Sequence, residues 1–119
     1  MFIQKSFEVG MVTQKMETFK KALIEAVDEG LLMLGENGRD VVYFRLKQSY
    51  ALQKEDISGH PEIFVECLRS IFGSGAEVIE RAVIKCLYSK LGIEFNAKKG
   101  FGFLEYLKEA RKAFEEKAN

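Results

Sequence analysis

The segment Asp56–Phe95 constrains the fold more than any other part of this chain, because it contains the starts and stops of two helices. Pro61 fits the first position of a helix, where the missing N–H is not needed. Gly73 and Gly92 each follow an amphipathic stretch, and glycine most readily takes the left-handed conformation beyond a helix C-terminus. These signals predict one helix from Pro61 to residue 72 and a second that ends at residue 91.

A capping motif is expected between the two helices. Ser74 and Glu77 have the S-x-x-E spacing, in which the hydroxyl and the carboxylate each bind an unpaired backbone N–H at the start of a helix. We therefore expect the second helix to begin near Gly75.

Helical periodicity also covers most of the remaining chain. Apolar residues recur at spacings of three and four over 13–34, and Gly35 and Gly38 flank the break before a further helix that runs to Tyr50. One helical turn is expected around residues 54–57, and a last amphipathic helix starts near Phe101–Phe103. The pattern predicts an all-α fold, a compact bundle of about five helices.

The first twelve residues differ from the rest. Phe2, Ile3, Phe7 and Val9 alternate loosely with polar residues before Gly10, which fits either a short strand or a loose arm. We therefore predict an N-terminal arm over 1–12 and a single helical domain over 13–119.

Composition limits the classes of partner. Lys+Arg and Asp+Glu are 18 each, so the net charge is zero, whereas a dedicated nucleic-acid binder usually carries a basic excess. No apolar run has the length of a bilayer span, and the start lacks the pattern of a signal peptide. We expect a cytoplasmic protein without membrane contact.

No reaction centre is recognisable. His60 is the only histidine and precedes Pro61, so an exposed position is expected, and Cys67 and Cys86 fall on apolar helix faces. The glutamates, Glu77 and Glu80 among them, are expected on solvated outer faces. The sequence therefore predicts no catalytic residues, no metal site, no cofactor and no enzyme activity.

Two apolar residues stand out on the helix Gly75–Leu91. Ile84 and Tyr88 lie one turn apart inside an arc that is otherwise polar. Either this helix is central and buried nearly all round, or the two side chains bind a partner. On the second alternative Ile84 and Tyr88 are the candidate partner-binding residues, and a homodimer is the commonest form of such a contact.

The sequence resembles a family of small, uncharacterised archaeal all-helical domains that are described as signalling output domains. The resemblance spans about residues 19–113, and the matching positions are Asp56-Ile57, Pro61-Glu62, Phe64, Leu68, Ile71-Phe72-Gly73, Gly75-Ala76, Ile79-Glu80, Leu87-Tyr88 and Leu91-Gly92. It implies a regulatory role through protein–protein contact, with no known activity and no catalytic residues.

Two other functions remain open from the sequence. One is a nucleic-acid-associated transcriptional regulator that uses a local patch at Lys98 and Lys99. The other is a small-molecule sensor with an apolar pocket lined by Phe and Tyr.

Overall fold

The computed structural model describes residues 2–117, and the side chains of 14–117. All elements in this part of the chain are helical, which confirms the all-α prediction. The α-helices are α1 (Phe2–Leu31), α2 (Gly35–Tyr50), α3 (Pro61–Phe72), α4 (Ala76–Leu91) and α5 (Phe103–Lys117). Short 3₁₀ turns lie at Leu32–Leu34, Lys54–Gly59 and Gly73–Gly75.

Counted as helical runs without an intervening loop, residues 2–117 contain four helices and not the predicted five, over 2–50, 54–59, 61–91 and 103–117. Two of the expected loops are replaced by three-residue 3₁₀ turns. At these turns Gly35 (φ 80°) and Gly73 (φ 58°) leave the helical conformation, so α1 and α2, and α3 and α4, are distinct α-helices within one run.

An N-terminal strand is not present, because the backbone from Phe2 onward belongs to α1. A single strand would leave its N–H and C=O groups without partners, whereas a helix pairs these groups within the segment. Met1 lies outside the described residues.

Most of the predicted helix ends are confirmed. α3 begins at Pro61, and a 3₁₀ turn covers the segment where one helical turn was expected. Gly92 has φ 68° and ψ 32°. The N–H of Gly92 donates to the Ser89 carbonyl at 3.2 Å, and that of Ile93 to the Tyr88 carbonyl at 2.9 Å. This pair of bonds is the Schellman motif.

The predicted capping box is wrong. α4 begins at Ala76, and no side chain caps its N-terminus. Ser74 lies inside the 3₁₀ turn, and the N–H of Ala76 donates to carbonyls of that same turn, at Gly73 and Ser74. The backbone of the turn therefore satisfies a donor at the start of α4 without the Ser74 hydroxyl.

α4 is the central helix of the fold. It packs most extensively against α1 and also contacts α3 and α5. The approach to α1 is closest at Gly30, where an added Cβ would lie 2.9 Å from the backbone N of Val83. α2 lies at the edge of the bundle and buries only Val42 and Leu46.

Among residues 2–117, no helix combines the length and the apolar character that crossing a bilayer requires.

Candidate functional site

Ile84 and Tyr88, the two candidate partner-binding residues, are both buried within the chain. Each side chain is 1% exposed. The first of the two alternatives, central burial of α4, is therefore the one observed. In this structure neither side chain presents a surface to a partner.

The Tyr88 hydroxyl joins α4 to α5. Its oxygen lies 2.8 Å from the Tyr106 carbonyl and 2.9 Å from Glu109 Oε1, and its proton serves one of these acceptors at a time. Burial and then the Glu109 carboxylate raise the pKa of Tyr88. Lys98 pairs with Glu109 and lowers the pKa of that carboxyl. Tyr88 is therefore a structural phenol that stays protonated.

Tyr106 fixes the loop that precedes α5. Its hydroxyl accepts a hydrogen bond from the Lys98 N–H at 2.8 Å and donates to the Lys98 carbonyl at 3.2 Å. The Tyr106 ring contacts Phe95 and Phe101, each at a centroid distance of 5.2 Å. The loop is thus held against α5 by both backbone and aromatic contacts.

A cavity of about 120 Å³ adjoins this aromatic cluster, between α3, α4 and the start of α5. Its lining includes two arginines, two glutamates and three aromatic residues, namely Arg69, Arg81, Glu77, Glu80, Phe101, Phe103 and Tyr106.

Glu80 corrects the expectation that the glutamates are solvated. Its side chain belongs to the cavity lining, yet the residue is only 4% exposed. Arg69 Nε lies 3.5 Å from Oε2, and this oxygen has no hydrogen-bond partner among the described residues. Burial raises the pKa of Glu80, and the Arg69 guanidinium lowers it in part.

The sequence contained a signal for Glu80. In a helix, residues four apart lie on the same face, and Glu80, Ile84 and Tyr88 have this spacing. If α4 is central on the side of Ile84, Glu80 is drawn into the interior with it.

A second surface of interest is the outer face of α2. Val41 is 57% exposed and Phe44 66%, and the exposed Leu32 and Met33 precede the same helix. The inner side of α2 is anchored by Tyr43, whose hydroxyl donates to Asp28 of α1. The helix is therefore held in place with two large apolar side chains in solvent.

A larger groove of about 610 Å³ lies between α1, the Lys54–Gly59 turn and α5. It contains the rings of Phe19 and Phe114, 6.2 Å apart, and the Arg111 guanidinium lies 4.8 Å from the Phe19 ring. The sensor alternative predicts an apolar pocket lined by Phe and Tyr, whereas this groove combines two Phe rings with five charged residues and no Tyr.

The patch at Lys98 and Lys99 contributes less free positive charge than the sequence suggests. The Lys98 ammonium pairs with Glu109 and lies 5.4 Å from the centre of the Phe101 ring. One of the two lysines is therefore engaged within the chain.

No family model, curated protein or solved structure matches this chain.

The remaining candidate residues for chemistry are dispersed. His60 Nδ1 lies 3.6 Å from Glu62 Oε1 on the surface. Cys67 and Cys86 are free thiols, and burial raises the pKa of both. Within the described part of the chain, no three His, Cys, Asp or Glu residues are grouped as metal ligands would be.

Proposed function

We propose that this chain is a non-enzymatic, cytoplasmic regulatory domain that acts through protein–protein contact, and that it associates with a second copy through the outer face of α2. The regulatory role rests on the sequence resemblance to signalling output domains. The location of the contact rests on the exposed residues of α2.

The observation that carries the proposal is the self-complementary order of these residues. One face of the helix consists of exposed side chains spaced as successive turns require: Asn37, Asp40, Val41, Phe44, Arg45 and Gln48. Two copies of this face can meet as parallel helices related by a two-fold axis that runs between them along their length. In such a dimer a residue at the centre of the face meets the same residue of the other copy, and a residue at one edge lies opposite the residue five positions later.

Val41 and Phe44 lie at the centre of the face, and each packs against the same residue of the other copy. Asp40 of one copy lies opposite Arg45 of the other, and this ion pair occurs twice, as an isologous interface requires. The outer residues Asn37 and Gln48 also meet their own copies, and their side chains can each donate and accept hydrogen bonds.

This arrangement accounts for the exposure of the two apolar side chains. An exposed Val and Phe with opposite charges on the two edges of the same face have the composition of an interface, with an apolar centre and a polar rim. A face of one short helix is small, so we expect a weak dimer with a Kd of about 1–100 μM.

The double variant Val41→Asp/Phe44→Asp tests the proposal. It places four carboxylates at the centre of the dimer, and we expect at least about a 100-fold increase in the Kd because two central apolar contacts are lost. Sedimentation velocity over 1 μM to 1 mM measures this. Both residues are exposed, so the monomer should remain folded, and circular dichroism checks this.

Val78→Asp is the matched control, because Val78 is 61% exposed but lies on α4, outside the face. It should dimerise like the wild type. A wild-type protein that stays monomeric up to 1 mM, or a double variant with the wild-type Kd, contradicts the proposal.

A further inference from the structure

The cavity next to Glu80 contains a buried acceptor that the protein does not use. Glu80 Oε2 is inaccessible and makes no hydrogen bond within the described residues. Buried polar atoms in proteins are nearly always paired with protein, water or ligand, so an unpaired carboxylate oxygen beside a cavity indicates a missing donor.

Arg69 does not supply that donor well. The Arg69 side chain is exposed for more than half of its surface, and its Nε approaches Oε2 only to 3.5 Å. This separation gives a Coulomb attraction but is longer than a good N–H···O bond. Because Glu80 lines the cavity, a turn of its carboxylate about the terminal C–C bond brings an oxygen to an additional cationic donor there.

Arg81 is placed to bind the other end of a ligand. Its guanidinium lies 5.3 Å from the centre of the Tyr106 ring and 5.5 Å from that of Phe95. It forms no ion pair with a carboxylate among the described residues, although Glu77 and Glu80 line the same cavity. Its charge is thus available to an anionic group.

The net charge of the lining also limits the ligand. Arg69 and Arg81 balance Glu77 and Glu80, so a ligand with a single charge would be attracted by one pair of side chains and repelled by the other. A zwitterion carries a charge that is complementary to each pair. The volume, about 120 Å³, is somewhat below the roughly 150 Å³ of a cavity known to hold benzene, so the ligand has about six non-hydrogen atoms.

We propose that this cavity binds a small α-amino acid, with its ammonium group at Glu80 and its carboxylate at Arg81. The site is separate from the outer face of α2, and the proposal does not depend on dimerisation. Glycine, alanine and serine are the amino acids of suitable size.

Thermal unfolding with alanine at 1–50 mM tests the assignment, because a ligand that binds only the folded state raises the Tm in proportion to the logarithm of its concentration once sites are filled. Methylamine and acetate each carry one half of the zwitterion. We expect the Tm to rise with the logarithm of the alanine concentration, and to rise less or not at all with either half alone.

Glu80→Gln is the decisive variant, since it keeps the shape of the side chain but removes its charge. It should fold and lose the response to alanine. Glu66→Gln removes one charge from the exposed side of α3 and should keep the response.

Amide NMR spectra locate the binding. Saturable shifts at Gly102 and Phe103, next to the cavity, are expected with alanine. A response that is equal in Glu80→Gln, or equal with acetate or methylamine, overturns the proposal. So does an absence of saturable shifts, which would mean that only water occupies the cavity.

Discussion

At the scale of single residues, Glu80 has the most unusual environment. Sequence position alone favours a solvated glutamate, because glutamates on amphipathic helices usually point outward. The structure buries it because Ile84, one turn later on the same face, is in the core. A buried carboxylate that lacks a hydrogen bond lowers the stability of the fold, and ionisable groups in such environments are common at binding and catalytic sites.

The first prediction concerns the stability of Glu80→Gln without ligand. At pH 7 we expect the variant to be more stable by about 1 kcal/mol, the lower end of the range for a buried unsatisfied group, because Arg69 compensates in part. Urea unfolding followed by circular dichroism measures the difference.

The pH dependence of this difference has a defined sign. The pKa of Glu80 is raised in the folded state, so the folded protein binds the proton more tightly than the unfolded chain does. The free-energy cost of burying the ionised carboxylate therefore decreases as the pH falls through the folded pKa. The advantage of Glu80→Gln should therefore shrink as the pH falls from 7 toward 4.5, the ordinary pKa of a glutamate. Glu77→Gln is the control for loss of one charge. An advantage that grows as the pH falls contradicts this account.

At the scale of elements, the contact between α1 and α4 depends on a glycine. A Cβ at Gly30 would lie 2.5 Å from Cγ2 of Val83 and 2.9 Å from its backbone N and Cα. Glycine inside a helix normally lowers stability relative to alanine. Here its missing side chain allows the two backbones to approach.

Gly30→Ala should therefore destabilise the protein, whereas a change from glycine to alanine inside a helix usually stabilises it. Instead of a gain from helix propensity, we expect a loss of about 1–3 kcal/mol, the range for overpacking of a well-packed core, because Val83 contributes backbone atoms that cannot rotate away. Thermal and urea unfolding measure it. Gly59→Ala is the control, since a Cβ there meets no atom within 4 Å. A stabilised Gly30→Ala would show that the two helices are less tightly packed than the structure indicates.

The ends of elements show which parts of the fold the sequence can predict. Pro61 and Gly92 act through their own backbone geometry, and both mark helix ends as predicted. The pair Ser74 and Glu77 depends on competition between a side chain and the backbone of a 3₁₀ turn, which local spacing does not decide. At the N-terminus the loose alternation left a short strand or a loose arm open, and the backbone from Phe2 is helical, a conformation that needs no partner strand.

At the scale of the whole molecule, function depends on which surfaces the packing leaves open. The sequence predicted the all-helical class from periodicity, but periodicity cannot tell an apolar residue in the core from one in an interface. For this reason the sequence allowed Ile84 and Tyr88 to be either core or partner-binding residues. The placement of α4 between its neighbours puts both in the core. Val41 and Phe44 are exposed because α2 lies at the edge.

The same reasoning applies to charge. A net charge of zero does not show how charges are ordered, and in α2 their order is what matters. Asp40 and Arg45 lie on the two edges of the apolar pair, so a two-fold axis along the helices brings unlike charges together. If the charge of either residue is reversed, like charges lie opposite each other at both symmetry-related positions.

A charge-exchange experiment tests self-association through α2 most directly. Asp40→Arg alone and Arg45→Asp alone should each weaken the homodimer by about 2 kcal/mol, roughly 30-fold in the Kd, because two rim pairs change from attraction to repulsion. Mixed together, the two variants should form a heterodimer in which both ion pairs are restored. Sedimentation equilibrium of each variant and of the equimolar mixture gives the three constants.

The account predicts that the mixture associates about as tightly as the wild type at low salt, whereas each variant alone is mostly monomeric at the same concentration. A mixture that associates no better than its components would contradict the parallel contact between two α2 helices.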